Sequence, residues 1–252
     1  MTDDMFRLDG RAVVVTGAAG GIGRAVAREM VDAGARVFLT DVAAEPLQET
    51  LSDIGPGHFA EPVDLRDTAS IARLVGRAYE LLGGIDVLAC VAGVIIRRNE
   101  LSEVTEGDWD IQFSVNLRAT FFLNRGVAEV MALGGGGSII NFASQGWWTG
   151  GYGGSVVYSA TKSGVVALTR GLARTLAPQH IRVNAVAPGA VDTAMMRDGL
   201  TAEAKANFMS QVPVGRLGEP AELATTVRFL ASDASSYITG ATLNVSGGQL
   251  IY

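Results

Sequence analysis

The stretch RAVVVTGAAGGIGRAVAREM, residues 11–30, limits the fold more than any other part of the chain. A β-branched run leads into a cluster of glycines and then into a segment with the apolar spacing of a helix. A strand that passes into a helix through so short a turn begins a crossover, and repeated crossovers build parallel sheets. The alternation continues downstream. RVFLTD (36–41) reads as a second strand, GHFAEPVD (57–64) as a short candidate strand, SIARLVGRAYELLGG (70–84) as a helix and IDVLACVAG (85–93) as a strand. Residues 108–133 read mainly as helix, GSIINFAS (137–144) as strand, and 155–178 as a helix stopped at Pro178, which lacks a backbone donor. IRVNAVAPG (181–189) and ATLNVSGG (241–248) are further strands, with a helix at PAELATTVRFLAS (220–232) between them. Strands of Val, Ile and Ala with little polar alternation suit a sheet covered on both faces. The expectation is an α/β chain forming a doubly wound parallel sheet of about seven strands, as one domain over 1–252.

Such a sheet needs a sizeable core, and 48% of the 252 residues are hydrophobic. Twenty basic against 26 acidic residues give a net charge of −6, with no run of Lys or Arg. That argues against nucleic acid or an anionic membrane surface as the main partner. No eighteen-residue apolar window appears, so no membrane span is expected, and the acidic opening MTDDMFRLDG carries no apolar signal segment. Cys90, the single cysteine, suits a reducing compartment and reads as a buried small hydrophobe rather than a nucleophile. A soluble, cytoplasmic protein is expected. Residues 190–213, short in helical periodicity and Met-rich, read as a lid over a site or as a surface excursion packed on the body.

In TGAAGGIG (16–23), Gly17, Gly21 and Gly23 let the backbone turn sharply and approach a pyrophosphate at a helix N-terminus. Taken alone, the cluster could be a turn; the strand before it and the helix after it give it weight. Asp41 ends the second strand eighteen residues beyond Gly23, near the spacing of an acid that accepts from adenosine ribose hydroxyls. The same carboxylate repels a 2′-phosphate, and no basic residue lies in the loop before Gly23, so NAD is favoured over NADP. Asp64, beside Leu65, is placed to accept from an adenine amino group, although Asp64 or Asp67 would serve equally as a helix N-cap. Ala92 and Gly93 are small enough to let a nucleotide lie against the backbone.

Tyr158 and Lys162 stand four apart on an expected helix and share a face. A free tyrosine titrates near pH 10, so acid–base work near neutrality needs a cation beside the phenolate, and Lys162 supplies one. Tyr152 has Val156 at the same offset and gains no such help. Ser144 closes a strand at the edge where open α/β sheets bind ligands, and can orient a substrate oxygen towards Tyr158. Ser155 is better used as an N-cap. Asn116, polar in an apolar helical stretch, is either a structural amide or a local interruption that holds a water joined to Lys162.

TGAAGGIG, the AG at 92–93, Asn116, Ser144, YSATK at 158–162 and PGAVDT at 188–193 together resemble the classical short-chain dehydrogenase/reductase family, over essentially the whole chain. The resemblance implies a Rossmann-like fold, Tyr158 as general acid/base and Ser144 as the hydroxyl that orients substrate. It implies Lys162 as the residue that holds the nicotinamide ribose and lowers the tyrosine pKa, and Asn116 as the amide that holds water. The cofactor set becomes Gly17, Gly21, Ile22, Gly23, Asp41, Asp64, Leu65, Ala92, Gly93, Tyr158, Lys162, Pro188, Gly189, Val191 and Thr193, with no metal. Hydride would pass between the cofactor and a secondary alcohol or ketone, and the family usually assembles as a homotetramer. Two departures stand out: CVAG replaces the family's NNAG, putting Val91 where an asparagine is usual, and fourteen residues separate Ser144 from Tyr158 where thirteen is common.

Substrate choice falls to the loops. Arg97 and Arg98 can offer charge to a carboxylate or phosphate, or can form ion pairs at a surface. GVIIRR followed by DWD is similar to sugar-acid dehydrogenases such as 2-deoxy-gluconate 3-dehydrogenase. Trp147 and Trp148 can wall a sugar or ring face, or anchor the loop; one indole is assigned to substrate and the other to packing. A polyol, sugar or sugar acid leads, followed by a cyclic or hydrophobic ketone. A silent nucleotide-binding protein, a hydro-lyase and an epimerase are the rivals.

Overall fold

The computed structural model describes residues 4–151, 155–197 and 201–251. Tyr152, set aside above in favour of Tyr158, lies outside the described residues, as does part of the 190–213 segment. Seven strands form one sheet: β1 (Ala12–Thr16), β2 (Arg36–Asp41), β3 (Phe59–Pro62), β4 (Val87–Cys90), β5 (Gly137–Phe142), β6 (Ile181–Pro188) and β7 (Thr242–Val245). Their spatial order is β3-β2-β1-β4-β5-β6-β7, and every pairing is parallel. The chain runs outward from β1 to β3, then returns to lay β4 on the other side of β1. The order therefore reverses between β1 and β4, and ligands of such sheets bind at the carboxyl ends of the strands at that point.

Strand residues alternate faces, and the two faces bury different helices. Val13, Val15, Val37, Leu39 and Ile140 meet α1 (Gly21–Asp32), α2 (Ala44–Ile54) and the later helix over Pro220–Ala231. Val14, Phe38, Leu88, Ile139 and Val183 meet α3 (Thr68–Leu82) and the helices that follow β4 and β5. Each fully buried Leu or Ile on these faces contributes about 2 kcal/mol relative to exposure. The expected sheet, strand number and two-sided cover are all present.

Three local outcomes differ from the sequence reading. Ala44–Ile54, which received no assignment, is a helix, with Pro46 in a first turn where the missing N–H has no partner to lose. The helix read over 108–133 is broken into α4 (Glu106–Phe113), a π-helical turn (Ser114–Arg118) and α5 (Ala119–Leu133). The strand read over 85–93 ends at Cys90, and the chain beyond it becomes a loop. After β5 come α6 (Gly146–Thr149) and α7 (Val156–Leu176), the latter closed by a 3₁₀ turn that contains Pro178. The segment after β6 carries α8 (Ala194–Arg197) and α9 (Ala202–Ser210), and α10 spans Pro220–Ala231. Among the described residues no helix is long and apolar enough to cross a membrane, and no cluster of His, Cys, Asp and Glu is placed to hold a metal.

Candidate active site

The glycines after β1 each close on a different neighbour. Gly17 has φ +67°, and a Cβ there would lie 2.7 Å from Ala92 Cα, so only glycine lets the two strand ends meet. A Cβ on Gly23 would lie 2.0 Å from the Gly17 carbonyl oxygen, and one on Gly21 would lie 3.1 Å from Thr193 Cγ2. The Ala92 N–H donates to Thr16 Oγ1 at 3.2 Å, pinning the loop after β4 to the end of β1. Above this junction α1 begins at Gly21 with no side-chain cap, leaving its first-turn donors to face the crevice. Ile22 is half-buried against the core beneath.

Asp41 Oδ2 accepts from the Ala19 N–H at 3.0 Å and Oδ1 from the Ala43 N–H at 3.1 Å, so the carboxylate ties the glycine loop to the turn after β2. Arg24, one residue past the loop, is engaged by Glu49 at 3.2 Å and the Pro46 carbonyl at 3.3 Å. The choice of cap between the two later acids resolves. Asp67 caps α3, accepting from the Ala69 N–H at 2.9 Å, while both oxygens of Asp64 accept from Arg66, which holds that carboxyl below its usual range. Leu65 is buried in the core.

The reactive side chains converge on the next loop. Ser144 follows β5, and its hydroxyl is close enough to the Tyr158 phenol to lower its pKa. Lys162 lies one turn further along α7, almost fully buried, with Nζ 5.6 Å from the Tyr158 ring centre and donating to the Phe142 carbonyl at 2.7 Å. A Cβ on Gly93 would lie 3.3 Å from both Lys162 Nζ and Asn116 Oδ1, so the absence of a side chain at 93 lets these groups approach the crevice. Asn116 sits within the π-helical turn. Its amide is engaged by Val94 on both sides, accepting from N at 2.8 Å and donating to O at 2.9 Å, and it also donates to Thr161 Oγ1 at 3.1 Å.

Burial raises the Tyr158 phenol above its ordinary range; the Ser144 hydroxyl and then the charge of Arg97 pull it partly back. Burial also lowers Lys162, to about 8, because the charged ammonium is disfavoured there. The lysine expected to be the chief aid to the phenolate is thus itself depressed, and an arginine from the loop after β4 acts on the tyrosine. Cys90 is buried, with its thiol pushed up by burial, as a core residue would be.

The two arginines part company. Arg98 makes a two-pronged ion pair with Asp108, at 2.8 and 2.9 Å, at the start of α4, whereas Arg97 Nη1 crosses to the Met195 carbonyl in α8 at 3.0 Å. The tryptophans also separate. Trp147 packs against the buried cluster that includes Val165 and Val166 and lies under Arg170, while Trp148 is 57% exposed, edge-on to Trp147 at 5.3 Å. Ser155 stands at the start of α7, but its hydroxyl makes no cap hydrogen bond there.

At the end of β6, the Pro188 carbonyl accepts from the Gln145 N–H at 2.9 Å, and the Gly189 N–H that follows donates to the Val245 carbonyl at 3.0 Å. Val191 is buried and bridges to Gly218, and Thr193 reaches Gly21. The sequence reading passed over Gln145 and Thr161. Gln145 Oε1 is buried with no hydrogen-bond donor among the described residues. Thr161, inside YSATK, links Asn116 to the Tyr158 carbonyl at 2.7 Å; a hydroxyl one place from a buried lysine was its only signal.

A family model described as enoyl-(acyl carrier protein) reductase matches residues 17–249. The cis-4-hydroxycyclohexanecarboxylate dehydrogenase of Sinomonas cyclohexanicum is 40% identical, over 94% of this chain and 96% of its own. A sorbitol dehydrogenase of Cereibacter sphaeroides is 38% identical over 97% and 99%. The 3-oxoacyl-acyl-carrier-protein reductase FabG of Thermotoga maritima is 38% identical over 98% and 100%. A solved structure of a putative short-chain alcohol dehydrogenase from Sinorhizobium meliloti superposes with a TM-score of 0.92, at 37% identity over 97% of this chain and 98% of the other.

Proposed function

The chain belongs to the short-chain dehydrogenase/reductase family, oxidoreductases of the alcohol–carbonyl pair that bind a nicotinamide cofactor, and from that premise we propose an NAD-dependent dehydrogenase of a polyol, sugar or sugar acid. The observation that carries the reading is the convergence of Ser144, Tyr158 and Lys162 beyond β5: the Ser144 hydroxyl favours the Tyr158 phenolate, and Lys162 Nζ lies 5.6 Å from the tyrosine ring centre.

The residues present fit a dinucleotide. Gly17 and Gly23 let the end of β1, the start of α1 and the loop after β4 pack backbone to backbone where a Cβ would clash, and the first turn of α1 offers donors to phosphate. Ile22, Ala92 and Gly93 are assigned to the path of the dinucleotide, and Asp64 and Leu65 to its adenine end. Pro188, Gly189, Val191 and Thr193 face the nicotinamide end. Asp41 accepts from ribose hydroxyls and disfavours a 2′-phosphate, and Arg24, engaged by Glu49, adds no free charge to offset it. The bound nicotinamide supplies the hydride chemistry.

Ser144 binds the substrate oxygen, Tyr158 takes its proton in oxidation and returns it in reduction, and Lys162 holds the cofactor ribose and relays charge to the phenol. Asn116 keeps the loop at Val94 and Thr161 in register with Lys162, and to it we assign the water that joins the proton path. Arg97 favours the phenolate and offers a cation to a sugar acid. The buried oxygen of Gln145, beside Ser144, offers an acceptor to a substrate hydroxyl. Trp148 is available to a ring face, while Trp147 is committed to packing. The enzyme works as one domain, with 190–213 as its lid, as a cytoplasmic homotetramer.

A cyclic hydroxy acid is the second reading, supported by the relative that acts on cis-4-hydroxycyclohexanecarboxylate and by the exposed Trp148. The test is reduced-nicotinamide absorbance with NAD and NADP against polyols, sugar acids and cyclic hydroxy acids, and in reverse against a 3-oxoacyl thioester. NAD-dependent oxidation of a polyol or sugar acid, lowered about 100-fold or more in Tyr158→Phe with NADH binding retained, is expected. Turnover confined to NADPH and the thioester overturns the proposal.

A further inference from the structure

One short turn holds both ends of the excursion that follows β6. The turn after β7, Ser246–Leu250, is closed by Gln249 N–H donating to the Ser246 carbonyl at 3.1 Å and Leu250 N–H donating to Ser246 Oγ at 3.2 Å. At the start of the excursion the Ala190 N–H donates to Gln249 Oε1 at 3.0 Å. At its far end the Val214 N–H donates to the Gly247 carbonyl at 3.1 Å. The fit is close at both places: a Cβ on Gly189 would lie 2.7 Å from Ser246 Cα, and one on Gly248 would lie 3.0 Å from Pro213 Cγ.

The bond to Gln249 differs from the others that hold this loop. Gly189 N–H is satisfied by the backbone of β7, and the Ala190 carbonyl and Asp192 N–H by the backbone of Gly218, at 2.9 and 2.8 Å. The Ala190 N–H instead depends on a side chain, and Ala190 is only 8% exposed. Without that acceptor a buried donor is stranded, and the loop must shift to hydrate it. Three residues on, Thr193 meets Gly21, the first residue of α1, so a shift at Ala190 reaches the phosphate turn through a short covalent path.

We propose that Gln249 is a positioning residue for the cofactor crevice: its side-chain oxygen fixes Ala190, thereby sets Thr193 against Gly21, and so controls affinity for the nicotinamide nucleotide. The proposal rests on the reading that this crevice binds that nucleotide. Gln249→Met keeps the length of the side chain and removes the acceptor; Gln249→Glu keeps an acceptor oxygen. Three readouts apply to each full-length variant: hydrogen exchange without nucleotide, NADH titration by fluorescence, and the thermal midpoint. In Gln249→Met the Ala190 amide is expected to exchange about 10-fold faster while Gly189 keeps its protection, and the NADH Kd is expected to rise about 5-fold to 10-fold. Gln249→Glu restores both to within about 2-fold. A change in exchange without a change in Kd overturns the link to the crevice, and a Glu variant that behaves like Met overturns the acceptor argument. Wild-type protein that binds neither NADH nor NADPH overturns the cofactor reading; wild-type binding that Gln249→Met matches overturns the role of Gln249 alone.

Discussion

Burial and neighbours pull Tyr158 in opposite directions, and Arg97 is among the neighbours that matter. A cation favours the phenolate, so replacing Arg97 by Met leaves the raised phenol higher still. Oxidation needs the phenolate and reduction the phenol. In Arg97→Met the rising limb of kcat/KM for oxidation is therefore expected to move to higher pH, lowering the rate at neutrality several-fold, while reduction near neutrality holds. Profiles of both directions over pH check this, and an unmoved limb contradicts it. Sequence spacing pointed to Lys162 as the helping cation because the pair stands one helical turn apart. It could not show that Nζ is held by the Phe142 carbonyl, or that a loop sixty-one positions upstream carries a guanidinium whose charge favours the phenolate. Asn116 was legible for the opposite reason: an amide inside an apolar helical stretch must find partners, and here it does so where the helix loosens into a π turn.

Helix starts carry the acid sensitivity of the fold. At α10, Glu222 accepts from the Glu219 N–H at 2.8 Å and pairs with Arg216, which with that hydrogen bond lowers its pKa from 4.5 to about 2. At α4, Asp108 accepts from the Thr105 N–H and pairs with Arg98, and its pKa is held well below the usual carboxylate range. For a group depressed on folding, stability is full above the unfolded value and is lost as pH falls through the folded one. Melting temperature is therefore expected to fall as pH drops from 4.5 towards about 2, and Glu222→Gln is expected to flatten that fall while lowering the plateau. Melts across that range decide. At this scale the strands were the most readable elements, since runs such as RVFLTD are too apolar to face water and too short to be buried helices. The helix over Ala44–Ile54 escaped notice because a proline masks a first turn that tolerates it. Cys90 ends its strand early because the backbone must leave the sheet for Ala92 to meet Gly17.

Beyond the crevice, the faces of α5 and α7 and the turn before them leave an apolar groove lined by Leu117, Phe121, Leu168 and Leu172. Under the proposed homotetramer, this groove is the face expected to take a second copy of the chain. Leu168→Arg is expected to yield a smaller species by light scattering, and a tetramer that persists counts against this face. The strand order has a consequence of another kind, for the birth of the chain. Val13 on β1 pairs with Val37 on one side and with Val87 on the other, and β4 in turn pairs with β5. The first three strands can assemble on the ribosome as an open half-sheet, with one edge of β1 bare until Val87 emerges. Parallel pairings over such separations form slowly and leave sticky edges in the meantime. Synthesis therefore passes through a vulnerable interval that outlasts the arrival of β4: β4, β5 and β6 each cover one bare edge and present another, until β7 completes the sheet.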